Sequence, residues 1–469
     1  MIVKIAGYNI DKSLIDKLNL PQQATPETIS AAYARISRST MSVTELRQNA
    51  LKEVSKARQS NEKIIFDMGH SSIAEHAVFN FDIIGISRYL TESLQKSRLA
   101  SFTEKSQRYV TWSNDYITPS ELDNSPLQAH FQQTVSKLFE LYKNLYETAN
   151  SYYIKENPGL NPKKREEMAK EDARYVLPLA TATQMGITIN ARSLENLLRR
   201  LANLELAEAQ TMYDALYTQI KGLTPSLIRY IEADPYKKKL LRIVENLKYQ
   251  SNSEDLSSTV ETKVYLQTPD PEEHIIAGFI FQNYPQDISN LVQEIKKFSA
   301  AKKKDLFDQM FAEMKPYHQA PKPFELVDCL IQTSISASCF AQLKRHRMAT
   351  IIRSDYRPDY RYVIPPIYEK TGSKQLISKT LDSLAPLYDR LEKEKRGLGS
   401  YILTNAHRVN LLFKTNLREL YHFSRLRSDT HAQWEIRHLS SDIDTQLQKL
   451  LPNAARYLMG KDRFQKISF

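Results

Sequence analysis

The chain has 469 residues, of which 41% are hydrophobic and 25% charged, so it is long enough for two domains with sizeable cores. No apolar run reaches the roughly 18 residues of a membrane span, and the 11 glycines form neither a Rossmann nor a P-loop phosphate motif. The net charge of +11 favours an anionic partner, either nucleic acid or a phosphorylated small molecule.

The first half of the chain predicts an alternation of strands and helices. MIVKIAGYNIDKSLIDKL, at the N-terminus, predicts a short strand and an amphipathic helix, and it lacks the architecture of a signal peptide. NFDIIGISRYLTESL joins a strand-like apolar run to a helix, and residues 137–154 have the periodicity of a long amphipathic helix. Apolar residues at three- and four-residue steps also predict helices over 189–201 and 415–427. We therefore expect a helix-rich α+β protein.

A Ser-rich segment without periodicity, residues 249–263, predicts a linker near the middle of the chain. After it, VYLQTPDPEEHIIAGFIFQ begins again with a strand, a Pro-Asp-Pro turn and a helix. We therefore divide the chain into a first copy at 1–250, a linker at 251–262 and a second copy at 263–469.

Pairs of similar motifs support this internal repeat. KSRLAS at 96–101 matches RHRMAT at 345–350, and QRYV ending at Val110 matches YRYV ending at Val363. INARSLENLLRRL matches TNLRELYHFSRLR, which pairs Arg192 with Arg418. Identity between the copies is low, so the pairing alone is weak evidence.

Several conspicuous residues have ordinary structural explanations. The basic run KRHR at 344–347 is, by composition, most often a solvated surface. His70 and His76 do not have a metal-binding helical spacing, and no metal site is predicted. Cys329 and Cys339 are too few for a disulfide framework, so we expect buried thiols in a reducing cytoplasm.

The longer motif blocks resemble the flavin-dependent thymidylate synthase family. They are GHSSIAEHAVFNFDIIGISRYLTESLQKSRLASFTEKSQRYV and EDARYVLPLATATQMGITINARSLENLL in the first half, and QLKRHR and NLRELYHFSRLRSDTHAQWEI in the second. The resemblance covers nearly the whole chain as two consecutive copies. It implies two tandem copies of that family's fold, α+β and helix-rich with antiparallel sheet.

Neither copy keeps the whole family pattern. In the first copy the R-H-R triplet is replaced by residues 96–98 (KSR), Ser93 replaces Gln, and Leu201 replaces a late arginine. In the second copy Arg353 stands near the expected Glu, and Ser400 replaces the arginine of ARYVLP. Family enzymes share active sites between subunits, and the two sets of losses fall on opposite sides of such a site. We therefore expect one composite site built from both copies.

The resemblance implies reductive methylation of dUMP to dTMP by a methyltransferase that uses FAD, with NADPH and methylenetetrahydrofolate as co-substrates. Arg427 is the expected catalytic residue, because a guanidinium can stabilise charge that develops on the uracil ring. The residues expected to bind dUMP are Gln342, Arg345, Glu104, Ser106, Arg108 and Arg174. The residues expected to bind FAD are Ser72, His346, Arg347, Glu104, Asn190, Arg192 and Asn196. A homodimer that mimics the family tetramer is the expected assembly.

Two other hypotheses remain open. The departures from the family pattern are compatible with a divergent homologue that binds flavin and a pyrimidine nucleotide but has another activity or none. The positive charge and the 26 tyrosines are compatible with a nucleic-acid-binding protein, although no nucleic-acid-binding motif is present.

Overall fold

A computed structural model describes residues 1–15, 25–246 and 261–466. The chain forms two compact units: the first contains Met1–Ser251 with Pro365–Thr404, and the second contains Asn252–Ile364 with Asn405–Phe469. Within the described parts of the chain, no helix combines the length and the apolar character needed to cross a membrane.

The elements follow the predicted alternation. The strands are β1 Ile2–Tyr8, β2 Val78–Ser87, β3 Ala100–Glu104, β4 Ala182–Asn190, β5 Lys263–Leu266, β6 Asp328–Ser336, β7 Thr350–Arg353 and β8 Arg408–Asn416. The helices before the predicted linker are α1 Lys12–Ile15, α2 Glu27–Arg35, α3 Val43–Lys52, α4 Val54–Glu62, α5 Arg88–Leu94, α6 Leu127–Glu156, α7 Pro162–Ala173, α8 Ala191–Ala202, α9 Ala207–Ile220 and α10 Pro235–Asn246. The later helices are α11 Pro271–Asn283, α12 Ile288–Lys296, α13 Ala300–Phe311, α14 Ala337–Leu343, α15 Ile367–Lys370, α16 Lys374–Asp382, α17 Ala385–Glu394, α18 Leu417–Arg427, α19 Trp434–Leu450 and α20 Lys461–Phe464.

Each unit is built on one four-stranded antiparallel sheet, and the strand orders are β1-β2-β4-β3 and β5-β6-β8-β7. The registers also agree: Val78 lies opposite Asn190 in one sheet, and Asp328 lies opposite Asn416 in the other. This agreement confirms the predicted fold class of two tandem copies, helix-rich with antiparallel sheet.

The two units repeat the same buried hydrogen bonds at the end of the central strand. Ser87 caps α5, and the buried Glu208 accepts hydrogen bonds from its backbone N–H and its hydroxyl, both at 2.6 Å. Ser336 caps α14 in the same way, and Glu435 accepts from its N–H at 2.9 Å and its hydroxyl at 2.5 Å. Such repeated polar contacts are stronger evidence for duplication than the low sequence identity.

Part of the second copy packs in the first unit. Leu179 N–H donates to the Leu403 carbonyl at 2.7 Å, and Ala180 N–H donates to the Tyr401 carbonyl at 2.9 Å. The Tyr401 hydroxyl donates to Glu208 at 2.6 Å. The first compact unit is therefore not contiguous in sequence, unlike the predicted copies. Nearly all of the predicted linker 251–262 lies outside the described residues, so the copy boundaries stay a prediction.

Both cysteines lie in the core of the second unit, as predicted: Cys329 and Cys339 are fully buried. Burial raises the pKa of the Cys329 thiol to about 12, which makes it a poor nucleophile at neutral pH.

Replacing Glu208 by alanine should destabilise the first unit. The change leaves three buried donors, on Ser87 and Tyr401, without their acceptor, and each costs about 1–3 kcal/mol when unsatisfied. We expect a lower midpoint of thermal unfolding, measured by circular dichroism. Glu205→Ala, at an exposed position three residues earlier, is the matched control, and equal effects of the two changes would contradict this role for Glu208.

The second unit should lose stability as the pH rises from about 4 to 6. Burial raises the pKa of Asp444 from 3.8 to about 6, even though hydrogen bonds from Ser424 and Ser428 favour the ionised carboxylate. The folded state therefore holds a proton that the unfolded state releases, and on the order of 3 kcal/mol is present below pH 4 and lost as the pH passes 6. Denaturant unfolding of wild type and Asp444→Asn at several pH values checks this. Parallel pH profiles for the two proteins would refute it.

Candidate active site

The first unit holds a compact group of charged side chains at the end of β3, which we name the loop cluster: Arg88, Glu104, Arg108, Glu171 and Arg174. Arg88 donates to Glu104, whose other oxygen accepts from Gln95 at 2.9 Å. These two charged side chains are only 10% and 9% exposed. Because the pair is largely removed from water, its geometry is more tightly held than that of a surface ion pair.

The rest of the loop cluster surrounds Glu171. Arg108 pairs with the Glu171 carboxylate, and Arg174 Nε donates to the Glu171 carbonyl at 3.3 Å. Burial lowers the pKa of Arg174; Glu171 opposes that shift, and the charges of Arg108 and Arg88 add to it. Arg88, Arg108 and Arg174 thus lie close to the carboxylates of Glu104 and Glu171, and guanidinium groups are well suited to bind a phosphate. Ser106, predicted to bind phosphate, lies beside the cluster and accepts from the Arg108 N–H at 3.2 Å.

The first-unit residues predicted to bind flavin lie around the start of α8. Asn190 caps this helix by accepting from the Ser193 N–H at 2.8 Å. Arg192 pairs with Glu75 at 2.6 Å, and Asn196 donates to the Arg192 carbonyl at 3.1 Å. Ser72 occupies the same short 3₁₀ helix as Glu75, Ser71–His76, and lines a pocket of about 450 Å³.

Glu75 lies within the motif GHSSIAEH but is not among the predicted site residues. The structure pairs it with Arg192, and the second unit repeats this contact as Arg418 with Glu325, also at 2.6 Å. An acidic residue within a motif block is the sequence signal that could have predicted this ion pair.

The second unit brings together three of its predicted site residues, with two more that were missed; together they are the histidine cluster: Gln342, His346, Glu419, His422 and Arg427. Arg427 donates from Nη2 to the Gln342 carbonyl at 3.2 Å and from Nε to His346 Nε2 at 3.1 Å. Because Nε2 accepts, the proton of a neutral His346 lies on Nδ1, which donates to Glu419 at 3.1 Å. Burial lowers the pKa of His346, and Arg427 adds to that shift while Glu419 opposes it.

His346, Glu419 and His422 could also hold a metal ion, since their ligand atoms lie within 4.8 Å of one another. Glu419 and His422 are one turn apart on α18, and neither is among the predicted site residues. The hydrogen bonds on both nitrogens of His346 explain the orientation of its ring without an ion.

Arg345 and Arg347 lie exposed on either side of the buried His346, in the turn after α14. The sheet register then places Arg353 opposite Leu411, which is the position that Glu104 occupies opposite Met185 in the first unit. Arg353 therefore occupies in the second unit the position that Glu104 occupies in the first, and a positive side chain replaces the carboxylate there.

In the first copy, a neighbouring residue partly replaces the late arginine that is lost at position 201. Leu201 stands where Arg427 stands in the second copy, but it is fully buried. The preceding residue, Arg200, instead donates to the Ser93 carbonyl at 2.6 Å and to the Ser97 hydroxyl at 3.4 Å. Ser93 and Ser97 are the counterparts of Gln342 and His346, so Arg200 makes the contacts that Arg427 makes in the second unit.

Taken separately, each unit collects a different part of the predicted site. The first holds the carboxylate and arginines of the loop cluster, and the second holds the histidine cluster with the exposed arginines. These features define a class: a duplicated α+β protein whose two copies carry different arginine-based clusters.

The chain belongs to the family described as "Thymidylate synthase complementing protein", whose sequence profile matches residues 19–226 and 263–453. It is similar to UPF0159 protein Ta1429 of Thermoplasma acidophilum, 22% identical over 84% of this chain and 86% of the relative. A flavin-dependent thymidylate synthase of Clostridium tetani is 32% identical over 44% of this chain and 82% of the relative. A crystal structure of the Helicobacter pylori flavin-dependent thymidylate synthase, complexed with FAD and dUMP, matches 50% of this chain and 100% of that chain, with 20% identity and a TM-score of 0.33.

Proposed function

We propose that this protein is a flavin-dependent thymidylate synthase that converts dUMP to dTMP at one composite site per pair of copies. The observation that carries the proposal is the division of residues between the copies. Glu104 and Arg174 have the counterparts Arg353 and Ser400, whereas Gln342 and His346 have the counterparts Ser93 and Ser97. The losses in each copy remove one side of a shared site, so the surviving sides complement one another.

The loop cluster suits the phosphate of a nucleotide. Arg174 and Arg108 supply planar guanidinium groups, and Ser106 supplies a short hydroxyl donor. We assign Arg345 and Gln342 to the same substrate from the second copy. Guanidinium groups are permanently charged and can bind a phosphate through paired hydrogen bonds, so Arg108 and Arg174 suit a dianionic phosphate.

Arg427 is the proposed catalytic residue. Reduction of the uracil ring places negative charge on its oxygen and nitrogen atoms, and a held guanidinium stabilises that charge as it develops. The contacts of Arg427 with Gln342 and His346 fix its position before substrate arrives. Burial lowers the pKa of His346, so its imidazole stays neutral and does not repel the guanidinium of Arg427.

The donor set fits a flavin dinucleotide, because guanidinium groups, amides, a hydroxyl and an imidazole can all hydrogen-bond to its phosphates and ring atoms. The residues proposed to hold FAD are His346 and Arg347 from the second copy and Ser72, Glu104, Asn190, Arg192 and Asn196 from the first. FAD, when bound, supplies the redox chemistry, with NADPH and methylenetetrahydrofolate as co-substrates. The protein's own part is binding, orientation and charge stabilisation. A homodimer is the proposed assembly, and the cytoplasm the proposed location.

The decisive experiment measures flavin and product together. We expect purified protein to carry flavin absorbance in the visible range and to form dTMP from dUMP only when methylenetetrahydrofolate and NADPH are both present. Expression should also let a thymidine auxotroph grow without thymidine. Flavin binding without dTMP formation would favour the second candidate, a divergent homologue with another activity, which the departures at Arg353 and Ser400 make a definite alternative.

A further inference from the structure

Glu419, a member of the histidine cluster, lies at the start of a chain of hydrogen bonds that leads to Arg427. Glu419 contacts His346 Nδ1 at 3.1 Å, and His346 Nε2 accepts from Arg427 Nε at 3.1 Å. The side chains of His346 and Glu419 are only 3% and 15% exposed, so water competes little for the contact between them. Packing also holds the imidazole, because the Phe423 ring meets it in a T-shaped contact with the ring centroids 4.8 Å apart. Glu419 is therefore connected to the guanidinium of Arg427 through one well-held ring.

This chain of contacts requires one particular tautomer of His346. A neutral imidazole has one donor and one acceptor nitrogen, whereas an arginine side chain can only donate. His346 Nε2 can accept from Arg427 only if the proton lies on Nδ1, and a buried donor needs an acceptor of its own. The Glu419 carboxylate provides that acceptor. If the proton lay on Nε2, two donors would face each other and the guanidinium of Arg427 would have to move.

The start of α18 holds Glu419 in place. Its backbone N–H donates to the Asn416 side chain at 2.9 Å, so Glu419 lies in the capped first turn of the helix, where the helix dipole favours a carboxylate. Arg427 is in the last turn of the same helix. One rigid helix thus carries both the carboxylate and the guanidinium, and His346 bridges them from the turn after α14.

The first copy lacks both the imidazole and the carboxylate. Ser97 stands at the position of His346, and Arg200 donates to its hydroxyl at 3.4 Å. A hydroxyl can rotate to accept from an arginine, so it needs no second residue to select a tautomer. Ser193 stands at the position of Glu419 and carries no carboxylate. The carboxylate is therefore present in the copy whose arginine contacts an imidazole, and absent from the copy whose arginine contacts a hydroxyl.

We propose that Glu419 is a positioning residue, which holds His346 in the tautomer that orients Arg427 for catalysis. This role rests on the proposed function, in which Arg427 stabilises negative charge on the uracil ring. Glu419 acts without touching the substrate: its carboxylate determines which nitrogen of His346 accepts, and that nitrogen directs the guanidinium. A misdirected guanidinium stabilises developing charge less well, so loss of Glu419 should affect kcat more than the KM for dUMP.

Steady-state kinetics of dTMP formation by the full-length, FAD-loaded protein test this role. We expect Glu419→Met, which is similar in size but has no strong acceptor, to lower kcat about 10- to 100-fold while the KM for dUMP stays within a few-fold. Glu419→Gln should recover part of the loss, because an amide oxygen can accept from Nδ1. Ser193→Ala, the matched control in the first copy, should change neither parameter. In an Arg427→Ala background, Glu419→Met should have no further effect, and an additional fall in kcat would contradict action through Arg427.

Nitrogen-15 NMR of histidine-labelled protein distinguishes this role from simple packing, because it reports which imidazole nitrogen carries the proton. The His346 signals are assigned by their absence from the spectrum of His346→Gln. We expect the proton on Nδ1 in the wild type and in Ser193→Ala, and on Nε2 in Glu419→Met. A purely structural contribution of Glu419 would leave the tautomer unchanged.

Raising the pH should not restore the Glu419→Met variant. The charged and titratable groups around His346 are Arg345 and Arg347 in the same turn and Glu419, His422 and Arg427 on α18. Burial lowers the pKa of His346, and Arg427 adds to that shift while Glu419 opposes it. Without Glu419 the imidazole therefore stays neutral to a still lower pH. Recovery of kcat at high pH would show that protonation of His346, and not its tautomer, limits the variant, and it would overturn the proposal.

Failure of this proposal is distinguishable from failure of the proposed function. If the wild type forms no dTMP, the proposed function fails, and the NMR experiment still tests the contact on its own. A proton on Nε2 of His346 in the wild type would overturn the proposal, and this measurement also decides the matter if Glu419→Met does not fold. An unchanged kcat or tautomer in folded Glu419→Met would overturn it too. So would a metal ion that is bound once per chain and lost in Glu419→Met, because Glu419 would then be a metal ligand.

Discussion

Arg427→Ala should lower kcat for dTMP formation by about 100- to 1,000-fold, because one preorganised donor to a developing negative charge contributes about 2.7–4 kcal/mol. The KM for dUMP should change much less, since the proposed interaction is strongest in the transition state. Stopped-flow and steady-state measurements of dTMP formation check the two parameters separately. Arg427→Lys should recover only part of the activity, because an ammonium lacks the planar fork that contacts Gln342 and His346 together.

The first copy offers a matched control for this variant. Arg200 donates to the Ser93 carbonyl and the Ser97 hydroxyl, as Arg427 donates to the Gln342 carbonyl and His346. If only one composite site is active, Arg200→Ala should leave kcat within a few-fold of wild type once its thermal stability has been checked. Equal losses in the two variants would argue for two working sites, or for a purely structural role of both arginines.

Arg174→Ala should raise the KM for dUMP by about 10- to 150-fold, the effect of losing charged hydrogen bonds worth about 1.5–3 kcal/mol. The variant should retain flavin, because Arg174 is assigned to the substrate phosphate. Measurements of KM and of flavin content on the same preparation distinguish these roles.

Ser400→Ala is the control for Arg174→Ala, because Ser400 is the counterpart of Arg174 in the second copy. Ser400 is 2% exposed and Arg174 is 4% exposed. Because both side chains are buried, a difference between the two variants cannot be attributed to burial alone. We expect Ser400→Ala to keep a wild-type KM. A similar rise in KM for both variants would contradict the single surviving site. Leu201→Ala is unsuitable as a silent control, because truncating a fully buried leucine typically costs about 2–5 kcal/mol.

The fold was largely predictable from local patterns. The alternating and helical periodicities predicted the strand and helix at 80–94 and the long helix at 137–154, and both are present as β2 with α5 and as α6. The repeated motifs predicted two copies, and the identical strand orders confirm them. These features depend on neighbouring residues, so the sequence carries them directly.

The sequence by itself therefore determined the duplicated α+β fold, the family, and which motif residues each copy retains. Only the tertiary structure decided that Pro365–Thr404 packs in the first unit and that Glu419 accepts a hydrogen bond from His346. It also decided that Arg200, and not residue 201, contacts Ser93 and Ser97. Successive residues on a helix point about 100° apart, yet a long arginine side chain can bridge that difference. Contacts of this kind join residues far apart in sequence, and their formation depends on packing that local sequence patterns do not encode.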